Sequence, residues 1–259
     1  VVIMRHGSPF SDYHDILGRV VNTNGVEAAT PFIYTQIMLR SSSGVSGAVL
    51  RGVDPESAGK VIKVLDDSAL LKIKKMHQAK DTTGSVPGVI LGKELARNLG
   101  LGVGDVVYLI SSRGMISPMG YLPAMKRFQV AGLFESGMYE YDGSLVYIHF
   151  RDAQKILHLE DSVTGIEVRV NDIYNARHIS DKIIADVGFP YWARDWMQMN
   201  HNLFSALKLE KTVMFIILAL IVLVAAFNIA STLIMMVMGK TKGVYPAARA
   251  LPALKPNQP

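Results

Sequence analysis

TVMFIILALIVLVAAFNIASTLIMMVM, residues 212–238, holds no charged side chain, while Lys208, Glu210 and Lys211 precede it and Lys240 and Lys242 follow it. At the rise of an α-helix this stretch extends roughly 40 Å, more than the roughly 30 Å hydrocarbon core of a bilayer. A helix in the core of a globular protein rarely runs so far without a polar face. The stretch therefore reads as one transmembrane helix, and it organises everything else. Residues 1–205 form a folded body, 206–240 the span with its extension toward that body, and 241–259 a short tail.

Charge follows the same division. The chain of 259 residues carries a formal charge of +5. Lys240, Lys242, Arg249 and Lys255 lie beyond the span with no acid after Gly239, and setting them aside leaves about +1 for the rest. A nearly neutral body argues against nucleic acid as a partner. A basic tail after a span argues for a cytoplasmic C-terminus and a body on the far side of the membrane. There is no cysteine, which excludes disulfides and is compatible with a periplasmic body. The chain opens at Val1 in strand-like sequence, so an export segment is expected to precede it.

Along the body, strands are expected at Val1–Met4, Val26–Leu39, Gly47–Val53, Val106–Ile110, Phe128–Phe134, Leu145–Phe150, Gly165–Val170 and Tyr191–Asp195. Helices are expected at Ser11–Asn22, Gly92–Leu99, Arg151–Leu159 and Ile173–Val187, with Ile62–Lys80 ambiguous. The order indicates an α+β body, a mixed sheet with helices. From Gln198 a helix is expected to run into the membrane.

Catalytic signals are poor. Met4-Arg5-His6-Gly7 follows a strand, as a phosphatase nucleophile would, but that chemistry needs a second histidine, further arginines and an acid. Gly100, Gly102 and Gly104 follow a helix and precede a strand, the reverse of a dinucleotide loop. No phosphate loop ending in Gly-Lys-Ser/Thr occurs, so the chain cannot hydrolyse ATP alone. No histidine pair has metal spacing beside a carboxylate; His149 and His158 read as surface or edge residues. Neither catalytic residues nor metal ligands are assigned. The lysines at 72, 74, 75 and 80 read as a solvated face.

Two other features look functional. Ser112–Lys126, SRGMISPMGYLPAMK, joins two expected strands as a protruding loop far longer than a tight turn. It holds Met115, Ile116, Met119, Tyr121, Leu122 and Met125, stiffened by Pro118 and Pro123. It either packs back on the body or offers an adaptable apolar contact to a partner. Within the span, Asn228, Ser231 and Thr232 share a face with Ala225. Polar groups in lipid should point at another helix, so the span reads as one member of a bundle.

Gly52-Val53-Asp54-Pro55, VILGKELARNLGLGVGD (Val89–Asp105), SPMGYLPAMKRFQVAGLF (Ser117–Phe134) and LVAAFNIASTLIMMVMGKTK (223–242) together resemble the permeases of lipoprotein-releasing ABC transporters, the LolC/LolE family, within a wider group that includes MacB-type exporters. The resemblance implies four transmembrane helices with a periplasmic domain between the first and second. It implies assembly with a second LolC/LolE-like permease or an identical copy, on a LolD-like ATPase that binds the ATP, with no cofactor in this chain itself. The implied work is extraction of lipoprotein substrates from the inner membrane and delivery to a LolA-like periplasmic carrier. The long hairpin loop would be the hook for that carrier: Pro118 and Pro123 set its shape, Gly120 lets the tip turn, Met119 and Tyr121 give apolar contact, and Lys126 and Arg127 add charge. Ser162–Ile179 looks more LolE-like, so a hybrid role is also implied. Two departures from the family pattern stand out. The first helix is absent, and after Lys242 the prolines at 246, 252 and 256 oppose the expected coupling helix, as in a truncated or frame-shifted piece. A MacB-type exporter of another substrate is the alternative, and a membrane-anchored phosphatase using His6 a remote one.

Overall fold

Strand and helix order in this computed structural model is β1 (Val2–Arg5), α1 (Tyr13–Val21), β2 (Val26–Arg40), β3 (Val45–Val53), α2 (Ala58–Val61), α3 (Asp67–Thr83), β4 (Gly88–Gly92), α4 (Lys93–Asn98), β5 (Val106–Ser117), β6 (Gly120–Phe134), α5 (Tyr139–Asp142), β7 (Leu145–His149), α6 (Phe150–Leu157), β8 (Gly165–Val170), α7 (Ala176–Val187), β9 (Tyr191–Arg194), α8 (Trp196–Met199) and α9 (His201–Arg249). The structure describes the backbone of residues 1–7, 9–83, 86–117 and 120–249, and the side chains of these residues outside 80–83, 112–117, 120–122 and 241–249. Contacts divide the chain into Val1–Met199 and Asn200–Pro259.

In the first unit the strands form one mixed sheet in the order β3-β7-β4-β6-β5-β2-β8-β1-β9, and β3 also pairs with β2. Six strands thus close into a ring: β2, β3, β7, β4, β6, β5. β3–β7 and β4–β6 are parallel and the other ring pairs antiparallel. Strands β8, β1 and β9 continue outward from β2, all antiparallel.

The apolar patterning sorts into three cores. Ile33, Leu50, Leu91, Val107, Phe128 and Val146 fill the ring, with Ala153, Ile156 and Leu157 of α6 packed among them. Each such side chain contributes about 1.5–3 kcal/mol by leaving water. A second core lies under β8, β1 and β9, where α1 buries Tyr13, Ile16 and Val20 and α7 buries Ile179 and Ile183. These spacings of three, four and seven put the residues on one helical face. The third core joins α2 and α3 to β4, β6 and β7 through Leu70, Ile73, Ile90, Phe134 and Tyr147. The ambiguous Ile62–Lys80 stretch is resolved as α3. Asp66 opens that helix, its carboxylate accepting from the Ser68 amide at 3.3 Å, as residues that favour helix starts do.

The expected long loop at Ser112–Lys126 is instead mostly strand. β5 and β6 stay paired from Val106↔Gln129 out to Ser117↔Gly120, with an irregularity between Ser111 and Met115. There Ser111 faces Ala124 and Met115 faces Leu122, so Pro123 stands opposite the bulge. Proline lacks the amide a regular ladder needs and is tolerated in a strand where the ladder is broken. A run of apolar residues that would be unstable as a solvated loop is accommodated as two paired arms.

In the second unit, α9 contains a stretch, His201–Lys240, long and apolar enough to cross a membrane. Its backbone continues through Pro246 to Arg249, further than the prolines suggested. A single proline deletes one amide from the ladder without ending an established helix in every context. Residues 250–259, with Pro252 and Pro256, lie outside the described residues.

At Gly92, between β4 and α4, the end of α5 packs directly against the backbone. A Cβ there would lie 2.2 Å from the Asp142 carbonyl oxygen, a backbone atom that cannot swing away. Gly92→Ala is expected to destabilise the protein by about 2 kcal/mol or more, whereas Gly47→Ala, with nothing within 4 Å, should change stability little. Chemical denaturation of the detergent-solubilised chain checks both.

Candidate functional site

The two-stranded arm of β5 and β6 is rooted unevenly in the ring. On one side, β2 pairs with β5 from Arg40↔Tyr108 to Ile37↔Ser111. On the other, β4 pairs with β6 only from Gln129 onward. Past Ser111 and Ala124, the arms pair with each other and with no other strand among the described residues.

Alternation along the strands decides what the root exposes. Met38, Ile110 and Met125 lie side by side across β2, β5 and β6, and Arg40, Tyr108 and Arg127 form the adjacent row. Met38 and Met125 are half exposed, at 50% and 56%. Gln36, Ile37, Met38, Ile110, Ser111 and Pro123 line a shallow groove there. Arg40 and Arg127 have no ion pair among the described residues.

Lys126, expected with Arg127 to add charge at the hook, does not share that face. Being one residue from Arg127 in a strand, it turns the other way. Its Nζ stands 3.6 Å from Asp152 Oδ1 and 6.0 Å from the centre of the Phe128 ring. Of the remaining expected hook residues, Pro123 and Arg127 are exposed at the arm's root. Gly120 and Tyr121 lie in β6 with only their backbone described, and Pro118 and Met119 lie outside the described residues.

Asp152, in the first turn of α6, has a side chain only 1% exposed. Its Oδ2 is 2.9 Å from His77 Nδ1 of α3, and the His77 ring stacks on His149 at 3.9 Å with 7° between planes. His149 is thus buried rather than a surface residue. Its Nδ1 accepts the Arg151 amide at 3.2 Å and so caps α6. His158 is exposed and closes the same helix in a left-handed conformation, φ 51°. Nothing local in the sequence marked His77, His149 and Asp152 as neighbours, since they come from different elements.

Arg51 of β3 was also missed. It contacts Glu167 of β8 through Nη2, with its guanidinium 5.3 Å from the Phe32 ring centre and 5.9 Å from that of Tyr147. His6 contacts Trp192, ring centres 6.0 Å apart, and its amide donates to the Pro190 carbonyl. Among the described residues His6 has no hydrogen bond or ion pair to a second histidine or to a carboxylate. The Gly100–Asp105 segment is a turn: Gly100 and Gly104 have φ of +63° and +99°, and the Asp105 carboxylate accepts the Gly102 amide at 2.7 Å.

In α9, Thr232 Oγ1 donates to the Asn228 carbonyl at 2.8 Å. The Asn228 side-chain amide itself has no hydrogen-bond partner among the described residues. Ala225, Asn228, Ser231 and Thr232 are all exposed along this helix.

The family with a MacB-like periplasmic core domain matches residues 2–185, which is the ring and most of its outward extension. The chain belongs to that family. It is 35% identical over 234 residues to the lipoprotein-releasing system transmembrane protein LolC of Neisseria meningitidis, covering 89% of this chain and 54% of that protein. The corresponding LolC of Xylella fastidiosa is 34% identical over 238 residues, 92% of this chain and 56% of the relative. LolE of Haemophilus influenzae is 25% identical, with 83% and 50% covered. The chain therefore spans about half the length of the curated relatives it matches. Among solved structures, the periplasmic region of MacB from Actinobacillus actinomycetemcomitans aligns with a TM-score of 0.48 at 12% identity, covering 78% of this chain and 91% of that one.

Burial, and then the neighbouring His77, press the His149 imidazole down from 6.5 to about 4, against the pull of Asp152 and Asp54. An unfolded chain takes up this proton at higher pH than the folded one. The stability from neutral His149 is complete above pH 6.5 and is lost as pH falls toward 4, by roughly 2 kcal/mol after allowance for solvent screening. His149→Asn, which keeps an acceptor for the Arg151 amide, should flatten thermal stability against pH between 6.5 and 4 relative to the wild type. Melting curves across that window check it.

Proposed function

We propose that this chain is part of a permease subunit of an ABC transporter that draws outer-membrane lipoproteins from the inner membrane and passes them to a LolA-like periplasmic carrier. The observation that carries the reading is the arm of β5 and β6, a ribbon projecting beyond the ring's strand pairing with Pro118-Met119-Gly120-Tyr121 at its end, in a chain related to proteins named for lipoprotein release. A free ribbon has no folding role that requires an apolar end. Stiffness from its paired strands and from Pro118 and Pro123 lowers the entropy lost on docking.

In this reading Pro118, Met119, Gly120 and Tyr121 enter the carrier, and Pro123 and Arg127 meet its rim from the arm's root. Arg127 speeds encounter with an acidic rim more than it tightens the complex. The body lies in the periplasm and the basic tail in the cytoplasm. This chain performs no chemistry; a LolD-like ATPase binds and hydrolyses ATP. A second permease, LolC/LolE-like or an identical copy, supplies the helix that Asn228 faces. A MacB-type exporter of another substrate remains the second reading, favoured by the match to the MacB-like core domain.

Capture of purified LolA-like carrier by the full chain tests the proposal. Pro118→Ala combined with Met119→Asp should weaken capture at least about tenfold, with circular dichroism unchanged. Undiminished capture would exclude the arm as the docking element. Failure of the wild-type chain to bind the carrier would favour the MacB-type reading.

Within the span, an unpaired amide in lipid is costly. Asn228→Leu in the intact permease should therefore impair assembly with the partner permease more than Leu223→Ala, by co-purification yield. Equal yields would mean the polar face has no partner helix.

A further inference from the structure

Most of the ring is held by backbone ladders on both edges of each strand, but one stretch is held on one edge only. Between Ala124 and Phe128, β6 has β5 along one edge and, among the described residues, no strand along the other, because β4 joins only at Gln129. The arm leaves the body at this weakly tethered place. Here the inward residue of β6 is Lys126, register partner of Leu109, and the group it reaches is the buried carboxylate of Asp152.

That carboxylate is gripped from other elements as well. Asp152 belongs to α6, which packs inside the ring. His77, at 2.9 Å, belongs to α3, which packs against β4, β6 and β7. His149, stacked on His77, ends β7. A carboxylate withdrawn from water is costly unless it is paired and hydrogen-bonded, and Lys126 brings a full positive charge to within 3.6 Å of it. The contact is therefore directional: it favours the position of β6 that brings Nζ to Asp152.

We infer that the Lys126–Asp152 ion pair is the joint that aims the arm, holding β6 to α6 where the β4–β6 ladder stops. Lys126 is thus a positioning residue rather than a contact with the carrier. The β2–β5 ladder reaches Ser111, opposite Ala124, and steadies the arm through β5; Lys126 fastens the other strand, β6, along the edge that β4 leaves open. That an aimed arm matters for carrier docking rests on the reading proposed above; the joint itself does not.

The absence of cysteine in the chain makes a direct test practicable. Ser42, exposed in the β2–β3 turn, and Leu122 on the arm are each replaced by Cys in the full chain in lipid nanodiscs. Spin labels at the two sites report their distance distribution by pulsed electron paramagnetic resonance. The parent should give one narrow distribution. Lys126→Met, which keeps length and apolar packing without charge, should broaden it about twofold, and Lys126→Arg should keep it narrow. In unlabelled chain, carrier capture should fall roughly fivefold with Lys126→Met and be retained with Lys126→Arg. Asp152→Asn should broaden the distribution too; should that variant misfold, the Lys126 pair still decides the matter. An unchanged distribution in Lys126→Met overturns the joint, as does equal broadening in Lys126→Met and Lys126→Arg. Broadening in Lys126→Met, with no capture by any variant including the wild type, supports the joint and refutes the carrier-docking reading instead.

Discussion

Both edges of β2 are occupied, and the rest of the body depends on this. One edge pairs with β3 from Phe32 to Arg40. The other pairs first with β8, from Val26 to Phe32, and then with β5, from Ile37 to Arg40. A strand of 15 residues is long enough to serve two sheets in succession. Its second half closes the six-stranded ring, and its first half carries the outward extension of β8, β1 and β9. Closure removes exposed edges, which a short open sheet would have to protect by other means.

Where these layers meet, buried charge appears. Arg51 of β3 reaches Glu167 of β8 beside Phe32 and Tyr147, tying the ring to the extension. Asp152 gathers Lys126 and His77 where the arm departs. Such pairs add little net stability compared with apolar packing of equal volume, because desolvation offsets much of the attraction. Their geometry is demanding, however, and the two sites lie where relative placement of elements matters most. Apolar contacts hold the cores; ionic contacts at the seams select one arrangement of them.

Much of the secondary structure was legible. Gly165–Val170 reads as a strand from its alternation and forms that strand. The helices expected at Ser11–Asn22 and Ile173–Val187 form as Tyr13–Val21 and Ala176–Val187. The arm looks like a loop in sequence because Pro118, Pro123 and the glycines at 114 and 120 are local breaking signals, whereas pairing depends on the opposite strand. The direction of the Lys126 side chain is hidden for a related reason. Adjacent residues of a strand face opposite sides, and once the arm is strand rather than loop, Lys126 and Arg127 must part.

Local physical chemistry by itself determined the long apolar helix, the α+β order and the apolar character of the arm. Each follows from properties that a short window of residues carries alone: length without charge, periodicity, or apolar composition. Tertiary structure alone decided that β2 closes a ring, that His149 is buried against His77, and that the Lys126 amine turns inward to Asp152. Those outcomes join residues from separate elements. Their energies come from desolvation and from pairing across the fold, which no window of sequence contains.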